Sequence, residues 1–171
     1  MVGLSLSHCP LKTKEYNKVV KAHSGNLYRF VLKCIRNPDD ASDIVQDSFL
    51  KLWQNKDKVI FEKAKSWLFT TAYRALLNKV KKDARMEPID TKDFAESHSH
   101  DKSSDLKEIL DKTLDTLPHL QKSIILLRDL EGYNYQEIGE MLELTESQVK
   151  VYLFRGRKKI KTRLIGLNLF A

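Results

Sequence analysis

Glycine and proline are scarce in this sequence, at six and four of 171 residues. With so few breakers the chain has little means to build the turn-rich hairpins of an all-β fold, and ample room for long helices. Cysteine is rarer still: Cys9 and Cys34 stand alone, without CxxC spacing and without a ligand set beside them. That argues against a disulfide framework or a structural zinc site, and a reduced chain with incidental thiols is expected. His98, His100 and Asp101, or His8 beside Cys9, fall in segments with no rigid scaffold to hold an ion, so no metal is expected. No apolar run comes near the roughly 20 residues of a membrane span, and the opening residues lack the charged start and apolar stretch of a signal peptide. A cytoplasmic protein without membrane insertion is therefore expected. There is no phosphate-cradling glycine loop, nucleophile elbow or paired-acid pocket. The chain is accordingly expected to be no enzyme, to need no cofactor and to take no small-molecule substrate.

What the chain has in excess is positive charge, a formal +7. That favours a polyanionic partner, although 31% charged residues of both signs also suits a plain soluble helical protein. Apolar residues recur at three- and four-residue steps throughout, the period of an all-α fold.

The pattern divides into two small helical domains joined by a flexible linker. The first, residues 12–85, opens with a helix through Tyr16, Val19, Val20, Leu27, Phe30, Val31 and Cys34, interrupted at Ser24-Gly25. Asn37-Pro38-Asp39-Asp40 then supplies an N-cap, a proline at the first helical position and acids in the first turn. Ala41, Ile44, Val45, Ser48, Phe49 and Leu52 form the buried stripe of the next helix, and a third runs over about 64–82 after a connection at 55–63. Residues 86–104 are acidic and Ser/His-rich with almost nothing to build a core, which reads as a flexible tether. The second domain, residues 105–166, begins with a helix through Leu106, Ile109, Leu110, Leu114 and Leu117. Pro118 starts another, closed by Gly132.

Two capping boxes follow in quick succession, Asn134 with Glu137 and Thr145 with Gln148. They predict a short helix, a tight turn and a longer basic helix, the arrangement that places side chains in a DNA major groove. Val149, Tyr152, Leu153, Gly156 and Ile160 fall on one face and are expected to pack on Ile138, Leu142 and Leu144, with Gly139 permitting close approach of the two helices. The other face presents Ser147, Gln148, Lys150, Val151, Phe154 and Arg155. Cations there donate to guanine edges or phosphates, and Val151 or Phe154 suits a thymine methyl. Arg157, Lys158 and the basic residues beyond suit phosphates, which position without specifying. A helical hairpin with a solvated basic face is the plain alternative; Phe154 outside the apolar stripe favours DNA.

Two further features lie in the first domain. Asp40, Asp43 and Asp47 recur on the side of the helix away from Ile44, Val45 and Phe49, with Gln46 and Leu50 beside them. Such an acidic stripe is a solvated face or a dock for a basic helix. Phe61, Trp67, Phe69 and Tyr73 cluster near Arg74, Asn78, Lys79, Lys81 and Lys82. Rings that stack on unpaired bases beside cations that hold the backbone make a single-strand binder, and the same rings equally suit a core.

These residues carry a resemblance. The run from Tyr135 through Ile138-Gly139-Glu140-Met141-Leu142 to Leu153-Phe154-Arg155-Gly156-Arg157 is similar to region four of bacterial sigma factors, the reader of the −35 promoter element. Leu114–Gly132 resembles the helix pair before it, the segment from Asp40 to Trp53 resembles the region two helix that clasps core RNA polymerase, and that from Trp67 to Arg74 resembles the start of the helix beside the −10 reader. The order of motifs, with no room for region one or region three, resembles an extracytoplasmic-function (ECF, group four) sigma factor. The resemblance implies promoter DNA and core RNA polymerase as partners, and an anti-sigma factor as a further one. It implies −35 contacts by Ser147, Gln148, Lys150, Val151, Phe154, Arg155, Arg157 and Lys158. It implies −10 contacts by Phe61, Trp67, Phe69, Tyr73, Arg74, Asn78 and Lys81, and polymerase contacts by Asp40, Asp43, Gln46, Asp47 and Leu50. The chain departs from the family at Gly139, where alanine is usual, at Ser147-Gln148, often Gly-Thr, and at Arg74, commonly Asn. These departures bear on the promoter letters rather than on the family. The competing assignment is a helix-turn-helix transcriptional regulator with an N-terminal sensing bundle, which would need neither the acidic stripe nor the aromatic-basic cluster.

Overall fold

The computed structural model describes residues 10–86 and 102–166, and every regular element among them is helical. The first bundle is α1 (Thr13–Ile35), α2 (Pro38–Gln54) and α3 (Phe61–Met86). The second is α4 (Lys102–Asp115), α5 (His119–Ile125), α6 (Tyr135–Leu142) and α7 (Glu146–Gly166), with α5 running on as one turn of π-helix over Leu126–Leu130. Most of the expected linker, residues 87–101, lies outside the described residues; its last three positions, 102–104, are already the start of α4.

Local chemistry accounts for the helix ends. Asn37 accepts from the amides of Asp39 (3.0 Å) and Asp40 (3.1 Å), and Pro38 occupies the first turn, where no amide donor is needed. α2 then buries Ala41, Ile44, Val45, Ser48, Phe49 and Leu52. Ser48 can lie at 1% exposure because its hydroxyl donates to the Ile44 carbonyl at 2.6 Å. Two expectations are corrected. α1 is continuous through Ser24-Gly25, because Val19 on one side and Leu27, Phe30 and Val31 on the other are anchored in the core; packing offsets the roughly 1 kcal/mol helix penalty of glycine. α3 starts at Phe61, three residues early. The loop before it is pinned by Leu11, whose amide reaches the carbonyls of Lys56 (2.9 Å) and Val59 (3.2 Å).

In the second bundle, Asn134 and Glu137 cap one another at 2.9 Å each way. Thr145 and Gln148 do the same for α7, with Thr145 donating its amide at 2.8 Å and accepting at 3.2 Å. Glu143 turns the chain in a left-handed conformation (φ 59°), and the Leu144 amide returns to the Gly139 carbonyl at 2.9 Å. A Cβ on Gly139 would stand 2.6 Å from the Leu144 carbonyl oxygen, so the turn, not the neighbouring helix, demands glycine there. The close helix approach is made instead by Gly156, where a Cβ would meet Ile125 Cδ1 at 2.7 Å and hold α7 away from α5.

The two bundles do not stand apart: α3 packs on α6 and α1 on α5, and one hydrophobic core runs through both. Phe69, 1% exposed, sits between Phe30 (centroids 5.9 Å) and Tyr133 (5.4 Å, edge to face). Lys122, 5% exposed, donates across the seam to the Cys34 carbonyl (3.2 Å) at the end of α1, and to Asp115 at 2.7 Å. Six ion pairs also cross the seam among the described residues: Arg29–Glu131, Lys33–Asp111, Arg36–Asp115, Lys63–Glu140, Lys65–Glu137 and Arg74–Glu143. In every one the cation belongs to the first bundle and the carboxylate to the second. Exposed ion pairs add little stability, whereas burying an aromatic side chain contributes roughly 1.5–3 kcal/mol. The apolar contacts therefore hold the bundles together, and the ion pairs set their register.

Candidate nucleic-acid and polymerase interfaces

α7 presents two faces, as its sequence predicts. Val149, Leu153, Gly156 and Leu164 are buried, while Ser147, Gln148, Lys150, Val151, Phe154, Arg155, Arg157 and Lys158 are all exposed. Phe154 is 70% exposed, the most exposed large apolar side chain among the described residues, and Val151 beside it is 46% exposed. Within this set the groups differ in freedom. Gln148 spends its amide oxygen on the Thr145 cap, which leaves its NH₂ to donate outward. Arg157 is held by both carboxylate oxygens of Asp129. The Lys150 ammonium lies 3.7 Å from Glu146 and over the Tyr135 ring at 5.4 Å, and Arg128 lies over the same ring at 4.9 Å. Arg128 and Tyr135 escape sequence reasoning, because a ring shared by two cations exists only once the elements have packed.

The acidic side of α2 is open at Asp43, Gln46, Asp47 and Leu50, the last 52% exposed. Asp40 departs from the expected stripe: it is partly buried and paired with Lys79 of α3 at 3.0 Å, so its charge is spent inside the bundle. Hydrogen bonding to Asp40 holds the Lys79 ammonium above its ordinary pKa. Trp53 extends the stripe by one turn, with Tyr16 edge-on to its ring at 4.9 Å and Lys56 over it at 4.1 Å.

On α3 the expected cluster is split. Phe61 is 41% exposed and Trp67 partly so, but Phe69 and Tyr73 (8%) are core residues. Their shared spacing places them on the face of α3 that meets α1 and the second bundle, so neither can stack on a base in this structure. Burial pushes the Tyr73 phenol above its ordinary value, and pushes the neighbouring Cys34 thiol up to about 11. Arg74 is paired with Glu143 at 2.5 Å. Asn78 and Lys81 lie farther along α3, lining a shallow cleft with Lys82 and Arg85. Lys63 and Ser66 both donate to Glu140 at 3.0 Å, and the Thr70 hydroxyl lies within reach of the Met141 carbonyl at 2.9 Å. α6 thus lies against the side of α3 that carries Lys63, Ser66 and Thr70, while Phe61, Asn78 and Lys81 of the expected set stay exposed.

Two bundles in this order, the second ending in a helix-turn-helix with an exposed mixed apolar and basic face, define a modular DNA-binding class of protein. Sequence models agree: residues 19–86 match Sigma-70 region 2, and residues 107–160 match Sigma-70, region 4. The chain is 32% identical over 147 residues to RNA polymerase sigma factor SigV of Bacillus subtilis, covering 83% of this chain and 86% of that one. It is 24% identical to ECF RNA polymerase sigma factor SigM of the same organism, covering 85% and 92%. In fold it is similar to the sigma factor RpoE in complex with the anti-sigma factor NepR from Bartonella quintana, with TM-score 0.70, 22% identity, and 89% and 98% coverage. It is also similar to CnrH in complex with the cytosolic domain of CnrY, with TM-score 0.68, 20% identity, and 91% and 90% coverage. The chain belongs to the sigma-70 family, and within it to the ECF sigma factors, which are non-catalytic subunits that direct RNA polymerase to promoters. Among the described residues no helix is long and apolar enough to cross a membrane.

Proposed function

We propose that the chain works through three surfaces: the open side of α2 docks core RNA polymerase, α3 with the loop before it captures the −10 strand, and α7 reads the −35 element. The observation that carries this reading is the exposure of Phe154 and Val151 between Lys150 and Arg155 on a helix otherwise anchored in the core. Such a face costs solubility unless a partner covers it, and a major groove offers both thymine methyls and guanine acceptors. The exposed Asp43, Asp47 and Leu50 give a separate surface for a basic, partly apolar helix. An anti-sigma factor is a further partner in this proposal, supported by the likeness to the NepR and CnrY complexes.

Run-off transcription from a pool of promoter fragments tests the proposal, with core polymerase alone and with core plus this protein. Promoter-specific transcripts are expected only when the protein is present. A protein that does not associate with core, and instead binds one duplex tightly as a dimer, would be the helix-turn-helix regulator.

A further inference from the structure

The surface of α2 changes sign along its length. Asp43 and Asp47 are exposed acids, but Asp47 already lies 3.9 Å from the Lys51 ammonium. Beyond Lys51 the helix ends in the ring of Trp53, 36% exposed, with Lys56 in the loop that follows. Tyr16 of α1 supports that ring in a T-shaped contact at 4.9 Å, and is itself fixed by donating its hydroxyl to the Phe49 carbonyl at 3.1 Å. The loop is held too: Asn55 donates its side-chain amide to the Lys51 carbonyl at 2.8 Å, and the Leu11 amide reaches the carbonyls of Lys56 and Val59. On this fixed frame the Lys56 ammonium lies over the Trp53 ring at 4.1 Å, with no carboxylate partner among the described residues.

We propose that Trp53, supported by Tyr16 and flanked by Lys56, is a stacking platform for single-stranded DNA: one unpaired base lies on the Trp53 ring and Lys56 holds the neighbouring phosphate. A lysine resting on an exposed ring is a weaker occupant than a stacked base. The base therefore displaces the ammonium, which needs only side-chain rotation to reach the phosphate beside it. The basic, partly apolar helix that suits Asp43, Asp47 and Leu50 does not suit this end of α2, because it would bring like charge onto Lys56. Asp57 stands next to Lys56 and offsets its charge, so stacking rather than bulk charge carries the affinity and base preference is slight. The same loop leads into α3, with Phe61 exposed at the start of that helix. This inference rests on the reading that α3 and the loop before it capture a melted strand, and carries the path of that strand on to the end of α2.

A short oligothymidylate carrying 5-iodouracil tests the platform in the full-length protein, because light cross-links that base to an aromatic ring stacked on it. Peptide mapping is expected to place a cross-link on Trp53. In titrations with the unmodified strand, Trp53→Leu keeps an apolar contact with Tyr16 but removes the stacking ring, and is expected to weaken binding about fivefold or more. Trp53→Tyr keeps a ring and is expected to retain most of the affinity. Lys56→Gln leaves the ring in place and is expected to flatten the slope of log affinity against log salt by about 0.7, the value for one phosphate on a single strand. Lys56→Glu is expected to weaken strand binding further and to leave association with core polymerase unchanged.

Cross-links confined to α3 or α7, or equal affinity of the parent and Trp53→Leu for the strand, overturn the proposal. So does tighter association of Lys56→Glu with core, since a basic polymerase helix would then be the partner of this end of α2. A parent protein that binds the strand through Trp53 but never associates with core would fail the proposed function and leave this inference standing, so the two failures are distinct.

Discussion

The rings of Phe69 and Tyr133 meet edge to face, centroids 5.4 Å apart and planes at 78°, across the seam between the two bundles. Phe69 is in α3 and Tyr133 precedes α6, so one contact joins α3 to the base of the helix-turn-helix. Truncation of Tyr133 to alanine is expected to cost about 3 kcal/mol or more, the range for deleting a buried ring. Tyr133→Phe is expected to be nearly neutral, because the hydrogen bond that the phenol accepts from Asn26 is long, at 3.4 Å. Thermal or urea unfolding of the two variants separates packing from hydrogen bonding.

Acid should loosen the same seam. Hydrogen bonds from Lys63 and Ser66 hold the Glu140 carboxyl below its ordinary pKa. Burial alone would raise Glu137, but hydrogen bonds from Lys65 and the Asn134 amide, with the Lys65 charge, outweigh it and lower its pKa. A carboxyl whose pKa is lowered in the closed form stabilises that form above its free pKa, about 4 for Glu, and the benefit is lost as pH falls through the lowered value. Closure is therefore expected to be unaffected between pH 8 and about 5 and to weaken below about 4. The distance between labels on α1 and α7, followed by energy transfer, checks the window. Weakening on the alkaline side instead would contradict this assignment.

Lys150→Ala and Arg155→Ala are each expected to cost about 1–3 kcal/mol of −35 discrimination if they donate to base edges. Phe154→Ala should reduce promoter selection with little loss of stability, since the ring is mostly in solvent. Arg157→Ala is expected to behave differently, weakening all sequences alike, because its guanidinium is already engaged by Asp129. Initiation from promoters with and without the upstream element distinguishes these effects.

Charge reversal on α2, Asp43→Lys with Asp47→Lys, is expected to abolish association with core polymerase in size-exclusion chromatography while duplex binding by α7 persists. Asp40→Lys should instead act on stability, because its partner is Lys79 within the bundle.

Gly139→Ala is expected to destabilise the second bundle by about 1–3 kcal/mol. The new methyl would stand 2.6 Å from a backbone oxygen of the turn, which cannot rotate away as a side chain can. A calorimetric melt measures the cost, and a loss of −35 binding larger than the loss of stability would show that the turn also aims α7.

What the sequence alone determined was whatever depends on neighbours within a turn or two. The Asn37 cap, the two capping boxes, the buried stripe of α2 and the two faces of α7 are all set by local hydrogen bonding and helical periodicity. Periodicity says which residues share a face but not what that face meets. Phe61, Phe69 and Tyr73 therefore read alike in sequence, and only the packing of α3 against α1 and the second bundle left the first exposed and buried the other two. In the same way, Asp40 looks like its neighbours until Lys79 is brought beside it. The one-way polarity of the seam joins cations and carboxylates 69 to 102 residues apart. Spacing along a helix carries no information about such partners, and only the tertiary structure brings them within ion-pair distance.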